Sequence, residues 1–220
     1  MNSPLHQIKP ILKTALFVLM GTGLNIALCQ TNPRPLFYDV HVGGGLPRSP
    51  MQFLDFWGPG VDVGGGIGFP VLAKSRILAQ ADYRFFPLDK DRFLKGLQTA
   101  PNSQNSVSGA GTSILTVSGQ LKYVFEAEFV PQIYPIAGVG VSGVFVGSGT
   151  GTYSGFTVNQ KVESRFAISA MGGFGIQWHL AEIVDLYSEL KYFYAVTRRE
   201  TINSDFISLT VGIQGYLIDW

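Results

Sequence analysis

Strict alternation of apolar and polar residues, repeated along the chain, constrains this fold more than any other feature. In residues 61–69, Val61, Val63, Ile67 and Phe69 share one parity, while Asp62 and three glycines take the other. In residues 77–86, Ile77, Ala79, Ala81, Tyr83 and Phe85 alternate with Gln80, Asp82 and Arg84. Residues 114–125, 165–178 and 186–196 repeat the pattern, with Lys122, Arg165, Glu189 and Lys191 on their polar parities. Successive strand residues point to opposite faces, so each stretch predicts a strand with one apolar and one polar face. A strand near residues 37–45, a glycine-rich one over 133–146 and a last one over 206–220 bring the count to eight.

The connections alternate between long and short. Residues 46–60, 87–112 and 147–163 form long ones; 72–76, 126–132 and 179–184 form short ones; 197–205 is moderate. Membrane barrels sort their connections this way, with short turns on the periplasmic side and long loops outside. A soluble Greek-key sandwich has no reason to. The expected fold is therefore all-β: an eight-stranded antiparallel up-and-down transmembrane β-barrel.

Energy decides which face meets lipid. A Lys or Arg directed at the bilayer centre costs about 2–4 kcal/mol, and Arg84, Lys122, Arg165 and Lys191 fall at or near strand centres. Turned inward, they meet Asp39, Asp62, Asp82 and Glu189, giving a luminal charge network with a structural role. Eight strands enclose a space that side chains can fill, so a plugged lumen is expected. Composition agrees: 46% of residues are hydrophobic and only 14% charged, yet mean hydropathy is just +0.22. Near-neutral charge gives no basic footprint for nucleic acid.

Residues 1–29 read as a secretory signal peptide. Lys9 and Lys13 precede an apolar core over 15–28, and Ala27-Leu28-Cys29 resembles a small-residue cleavage site. An uncleaved anchor is the alternative, weakened by Thr22 and Asn25 within the short apolar core. Cleavage near Cys29 removes the one cysteine in the sequence, which suits an oxidising compartment. Residues 30–220 form the barrel domain.

Aromatic residues are expected in girdles at the two interfaces: Phe37, Tyr38, Phe69, Tyr123, Phe125, Tyr134, Trp178 and Trp220 at the periplasmic end, Tyr83, Phe85, Phe145, Phe166, Tyr192, Tyr194 and Phe206 at the outer end. Together with the signal peptide, eight alternating strands, glycine-rich inner faces and a terminal aromatic residue, the chain resembles the small outer-membrane β-barrel proteins of the OmpA/OmpX type. The resemblance covers residues 30–220 and implies location in the outer membrane of a Gram-negative bacterium. It implies a role in envelope integrity or surface interaction, with outer-membrane lipid, lipopolysaccharide, periplasmic chaperones and the barrel-insertion machinery as partners. In that family, alternate apolar residues before a final aromatic form the insertion signal; Tyr216, Ile218 and Trp220 match. Ile207, Leu209, Val211 and Ile213 have the opposite parity, so a bulge near Gly212–Gly215 is expected to restore the register.

Gly138-Val139-Gly140-Val141-Ser142-Gly143 has the spacing of a dinucleotide-binding G-x-G-x-x-G. Such a motif needs a helix opening directly behind it, whereas a strand and then a Gly/Ser/Thr loop follow. The glycines instead make room for bulky luminal side chains such as Arg165 and Tyr187, and no cofactor is expected. His41, expected inward beside Asp39, and His179, at a periplasmic turn, have no metal-ligand spacing and no evident serine partner, so no metal or catalytic site is assigned. An extracellular partner could meet loops 46–60 and 87–112, the first carrying Met51, Phe53, Leu54, Phe56 and Trp57. Alternatives are a narrow channel for small solutes, a lipid-acting barrel enzyme, and a lipocalin-like carrier with apolar and polar faces reversed.

Overall fold

The computed structural model describes residues 36–49, 57–91, 106–125, 131–153, 156–160, 163–181, 183–197 and 204–217. The strands are β1 (Phe37–Ser49), β2 (Gly60–Pro70), β3 (Ser75–Phe86), β4 (Ser106–Gly109), β5 (Thr112–Tyr123), β6 (Gln132–Val146), β7 (Gly149–Tyr153), β8 (Phe156–Gln160), β9 (Glu163–Ala181), β10 (Val184–Thr197) and β11 (Ser204–Tyr216). Eight of them close into an antiparallel barrel in the order β1-β11-β10-β9-β6-β5-β3-β2. β1 bonds on both sides, so that Phe37 faces Tyr216 and Gly68. Closure satisfies every ladder and leaves no edge, which is what a sheet needs to cross lipid. A strand such as β3, with 12 residues, spans about 28 Å of membrane when tilted by about 45°.

The alternation expected from sequence holds along each barrel strand. On β6, Val139 and Val141 are 68% and 60% exposed, while Ser142 between Val141 and Gly143 is buried. The outward parity carries Val40, Val42, Val61, Val63, Ile67, Val117, Leu121, Ile168, Phe174, Leu190, Leu209, Val211 and Ile213, all exposed. Among the described barrel-strand residues, the charged ones of outward parity are Arg48 and Asp205, both at the long-connection end, where Tyr192 donates a hydrogen bond to Asp205. No charge among them interrupts the belt between the ends.

Three expectations are corrected. Parts of two long connections are not plain loop: β4, β7 and β8 form a separate three-stranded sheet. The aromatic girdle loses Phe37, Tyr134 and Phe206, which are 0%, 1% and 2% exposed and point inward. Each has a luminal partner: Phe37 lies against Tyr216, Tyr134 donates to Glu189, and Phe206 stacks on Phe193. The expected bulge is absent, because β11 pairs without a break from Phe206 to Tyr216 against β1 and from Ser204 to Gly215 against β10. Tyr216 keeps inward parity since its hydroxyl donates to Asp185, and Leu217 is the exposed residue beside it. Ile218, Trp220 and the signal-peptide region lie outside the described residues.

Glycine at two luminal positions is dictated by close approach. A β-carbon at Gly212 would stand 2.6 Å from the Tyr187 ring, and one at Gly175 would stand 2.5 Å from that of Tyr134. At Gly138 the neighbours are Gln120 and Met171, and at Gly140 they are Val117 and Ser118. The G-x-G-x-x-G therefore makes room for Gln120 and Met171, not for Arg165 and Tyr187 as the sequence suggested.

Candidate functional site

The barrel interior is the site, and it is layered. At the long-connection end an apolar cluster of Phe86, Ile114, Val144, Met171, Phe193 and Phe206 fills the bore, with Trp57 packed against it. Phe193 and Phe206 stack at 4.9 Å, and Phe86 meets Phe206 edge-on at 5.5 Å. Apart from Met171, which reaches up from the middle of β9, these residues sit near the strand ends that lead into the long connections, and inward parity assembles the cap.

Beneath the cap lies the first charge cluster. The Arg84 guanidinium lies 3.9 Å from the Phe193 ring centre. Its Nε donates to Asp62 Oδ2 at 2.9 Å, and a terminal nitrogen stands 3.2 Å from Asp82 Oδ2. Thr116 accepts a further bond from Arg84 and is joined to Ser142 at 2.9 Å; Ser208 donates to Asp62 at 2.6 Å. His41 approaches Asp82 at 3.1 Å and Asp62 at 3.9 Å. It stands with these residues rather than beside Asp39 alone. Asp39 receives Tyr187 Oη at 2.8 Å and Gln80 Nε2 at 3.3 Å.

The second cluster centres on Glu189. Lys122 reaches it at 2.7 Å, Lys191 at 2.9 Å, and the Tyr134 hydroxyl donates to it at 2.9 Å. Lys122 also stands 5.0 Å from the Tyr187 ring centre. Toward the short-turn end, Asp185 accepts from Tyr216 and Gln177 and is paired with His179, while Arg76 bonds Gln177 at 3.3 Å.

Of the eight charged residues singled out from sequence, Asp62, Asp82 and Arg84 form one cluster and Lys122, Glu189 and Lys191 the other, with Asp39 between them through Tyr187 and Gln80. Arg165 faces the interior at the level of Val144, half-buried, near the long-connection end. Sequence reasoning missed Gln80, Gln120, Asp185 and Arg76 as network members. The signal existed: each shares the luminal parity of a residue already chosen, Asp185 that of Glu189 and Gln80 that of Asp82. Among the described residues, the side-chain partners of His41 are Gln80, Asp62 and Asp82, and that of His179 is Asp185. In loop 46–60, Met51, Phe53, Leu54 and Phe56 lie outside the described residues, as does most of the connection 87–112.

An apolar belt around a polar, cross-linked interior, closed by eight antiparallel strands, is the fold of small outer-membrane barrel proteins. No protein-family model and no curated protein matches the chain. Among solved structures, a major outer membrane protein from Thermus thermophilus is similar with TM-score 0.53 and 13% identity, over 83% of this chain and 99% of that one. Neisserial surface protein A matches with TM-score 0.49 and 14% identity, over 83% and 97% of the two chains. The attachment invasion locus protein Ail of Yersinia pestis gives TM-score 0.49 and 7% identity, over 84% and 99%. At these identities the likeness is one of fold.

Proposed function

We propose that this protein is an integral outer-membrane barrel of a Gram-negative envelope, with a structural or surface-interaction role and no enzymatic activity. The observation that carries the reading is polarity: the outward belt is uncharged between its ends, while Arg84, Lys122, Glu189 and Lys191 are buried inside. Water on the outside would leave a belt of exposed Val, Leu, Ile and Phe far larger than a soluble surface tolerates. A lipocalin-like carrier needs the reverse arrangement.

The interior supports a plug. Each basic group of the two clusters is held by a carboxylate, and the Phe86–Phe193–Phe206 cap stands between the charges and the outer end. In this reading the lipid-facing belt anchors the barrel, lipopolysaccharide surrounds its outer end, and the β4-β7-β8 sheet carries the long connections outward to an extracellular partner. The barrel-insertion machinery and periplasmic chaperones would deliver it, after export directed by residues 1–29.

Fractionation tests the proposal. The protein should be recovered from isolated outer membranes and migrate faster on a gel before boiling than after. Recovery in the soluble periplasm would overturn it. In planar bilayers the wild-type barrel should be silent; steady conductance would replace the plug with the channel reading.

A further inference from the structure

His41 on β1, Asp62 on β2 and Asp82 on β3 bring three potential ligand atoms within 4.8 Å of one another. All three side chains have 0% exposure. His41 Nε2 meets Asp82 Oδ1 at 3.1 Å and Asp62 Oδ1 at 3.9 Å, and these three atoms have no hydrogen-bond partner outside their own group. Three buried ligand atoms that converge on one point and meet only one another make a place for something they can share.

Their other atoms are already held. Arg84 and Ser208 take Asp62 Oδ2, Arg84 approaches Asp82 Oδ2, and Gln80 bonds His41 Nδ1 at 3.1 Å. Metal sites are built in this way, with outer partners fixing each ligand through the atom that does not bind. Binding through Nε2 requires the proton on Nδ1, so Gln80 must present its oxygen there. Turning the Gln80 and Gln120 amides together achieves this, at the cost of the Gln80 bond to Asp39, whose Oδ2 is still held by Tyr187.

Charge and distance both favour a cation. Between the cap and the short-turn end, Asp39, Asp62, Asp82 and Glu189 face Arg84, Lys122 and Lys191, so four carboxylates meet three cations; the excess is negative, and a divalent ion reverses it by one charge. His41 Nε2 stands 3.1 Å and 3.9 Å from the two aspartates, bracketing the ligand-to-ligand spacing of about 3.3 Å in tetrahedral zinc sites.

We propose that His41, Asp62 and Asp82 form a luminal site for one divalent transition-metal ion with zinc's taste for imidazole and carboxylate. Because the ligands are sealed, the ion enters as the barrel folds and leaves only when it unfolds.

The test is refolding of the full mature chain from urea into detergent with or without Zn²⁺, followed by a chelator wash and metal analysis. Wild type should retain about one zinc per chain, and His41→Gln at least about ten-fold less. His179→Gln, altered at the short-turn end, should retain as much as wild type. Heat-dependent gel migration confirms folding, and Asp82→Asn takes the place of His41→Gln if that variant does not fold. Wild-type retention no greater than that of the ligand variant overturns the proposal and leaves His41, as imidazolium, to supply the missing charge. Equal loss in His179→Gln would overturn it too, by placing the metal at the other end.

Discussion

Glu189→Gln is the most informative single change in the barrel. Glutamine keeps the shape and one acceptor oxygen but removes the charge that Lys122 and Lys191 share, at 2.7 and 2.9 Å. Both ammonium groups are then buried without a counter-charge, since Lys191 is 0% exposed and Lys122 2%. Breaking a buried ion pair by removing one partner costs about 3–5 kcal/mol. Two lost charge-assisted bonds at about 1.5–3 kcal/mol each give the same range. The Tyr187 ring near Lys122 offsets only about 0.5–2 kcal/mol. With a urea slope of about 2 kcal/mol per M, a loss of about 4 kcal/mol moves the unfolding midpoint down by about 2 M. Heat-dependent gel migration along a urea series reads it directly. Adding Lys191→Met should recover about 1–2 kcal/mol, because one of the stranded charges is gone. A midpoint shift below about 0.5 M for Glu189→Gln would refute the reasoning, since the lysines would then be solvated by a wet lumen.

Val139→Lys, at a position 68% exposed on the belt, should destabilise the barrel by about 2–4 kcal/mol in lipid; unfolding from liposomes measures it, and a neutral effect would place β6 away from the bilayer. Phe206→Ala removes the ring stacked on Phe193 and should cost about 3–5 kcal/mol. It should also raise conductance in planar bilayers above the silent wild type, and continued silence would locate the plug deeper. Gly140→Leu sets a side chain against the Val117 carbonyl and Ser118, and should abolish the fast-migrating folded form on a gel.

The barrel was legible because its information is local. Parity along residues 61–69 or 186–196 states which side chains share a face, and lipid's intolerance of charge states which face is inside. The network's membership was half legible for the same reason: Arg84 and Glu189 declare themselves by parity, but the partnership of His41 with Asp82 depends on registers between β1, β2 and β3 that no single strand encodes. Phe37, Tyr134 and Phe206 leave the aromatic girdle because inward parity overrides their position near a strand end. Tyr216 shows the same lesson from the other side. Its hydroxyl finds Asp185 inside, so the register needs no bulge.

The central claim is that odd-numbered β6 residues face lipid and even-numbered ones face a polar interior. With Cys29 replaced by serine, single cysteines at positions 138–145 can carry nitroxide labels in a barrel refolded into liposomes. Collision with oxygen, which concentrates in the bilayer, should peak at positions 139, 141, 143 and 145 and fall at 138, 140, 142 and 144. A flat profile, or maxima at the even positions with the odd ones open to a water-soluble relaxant, would contradict the account.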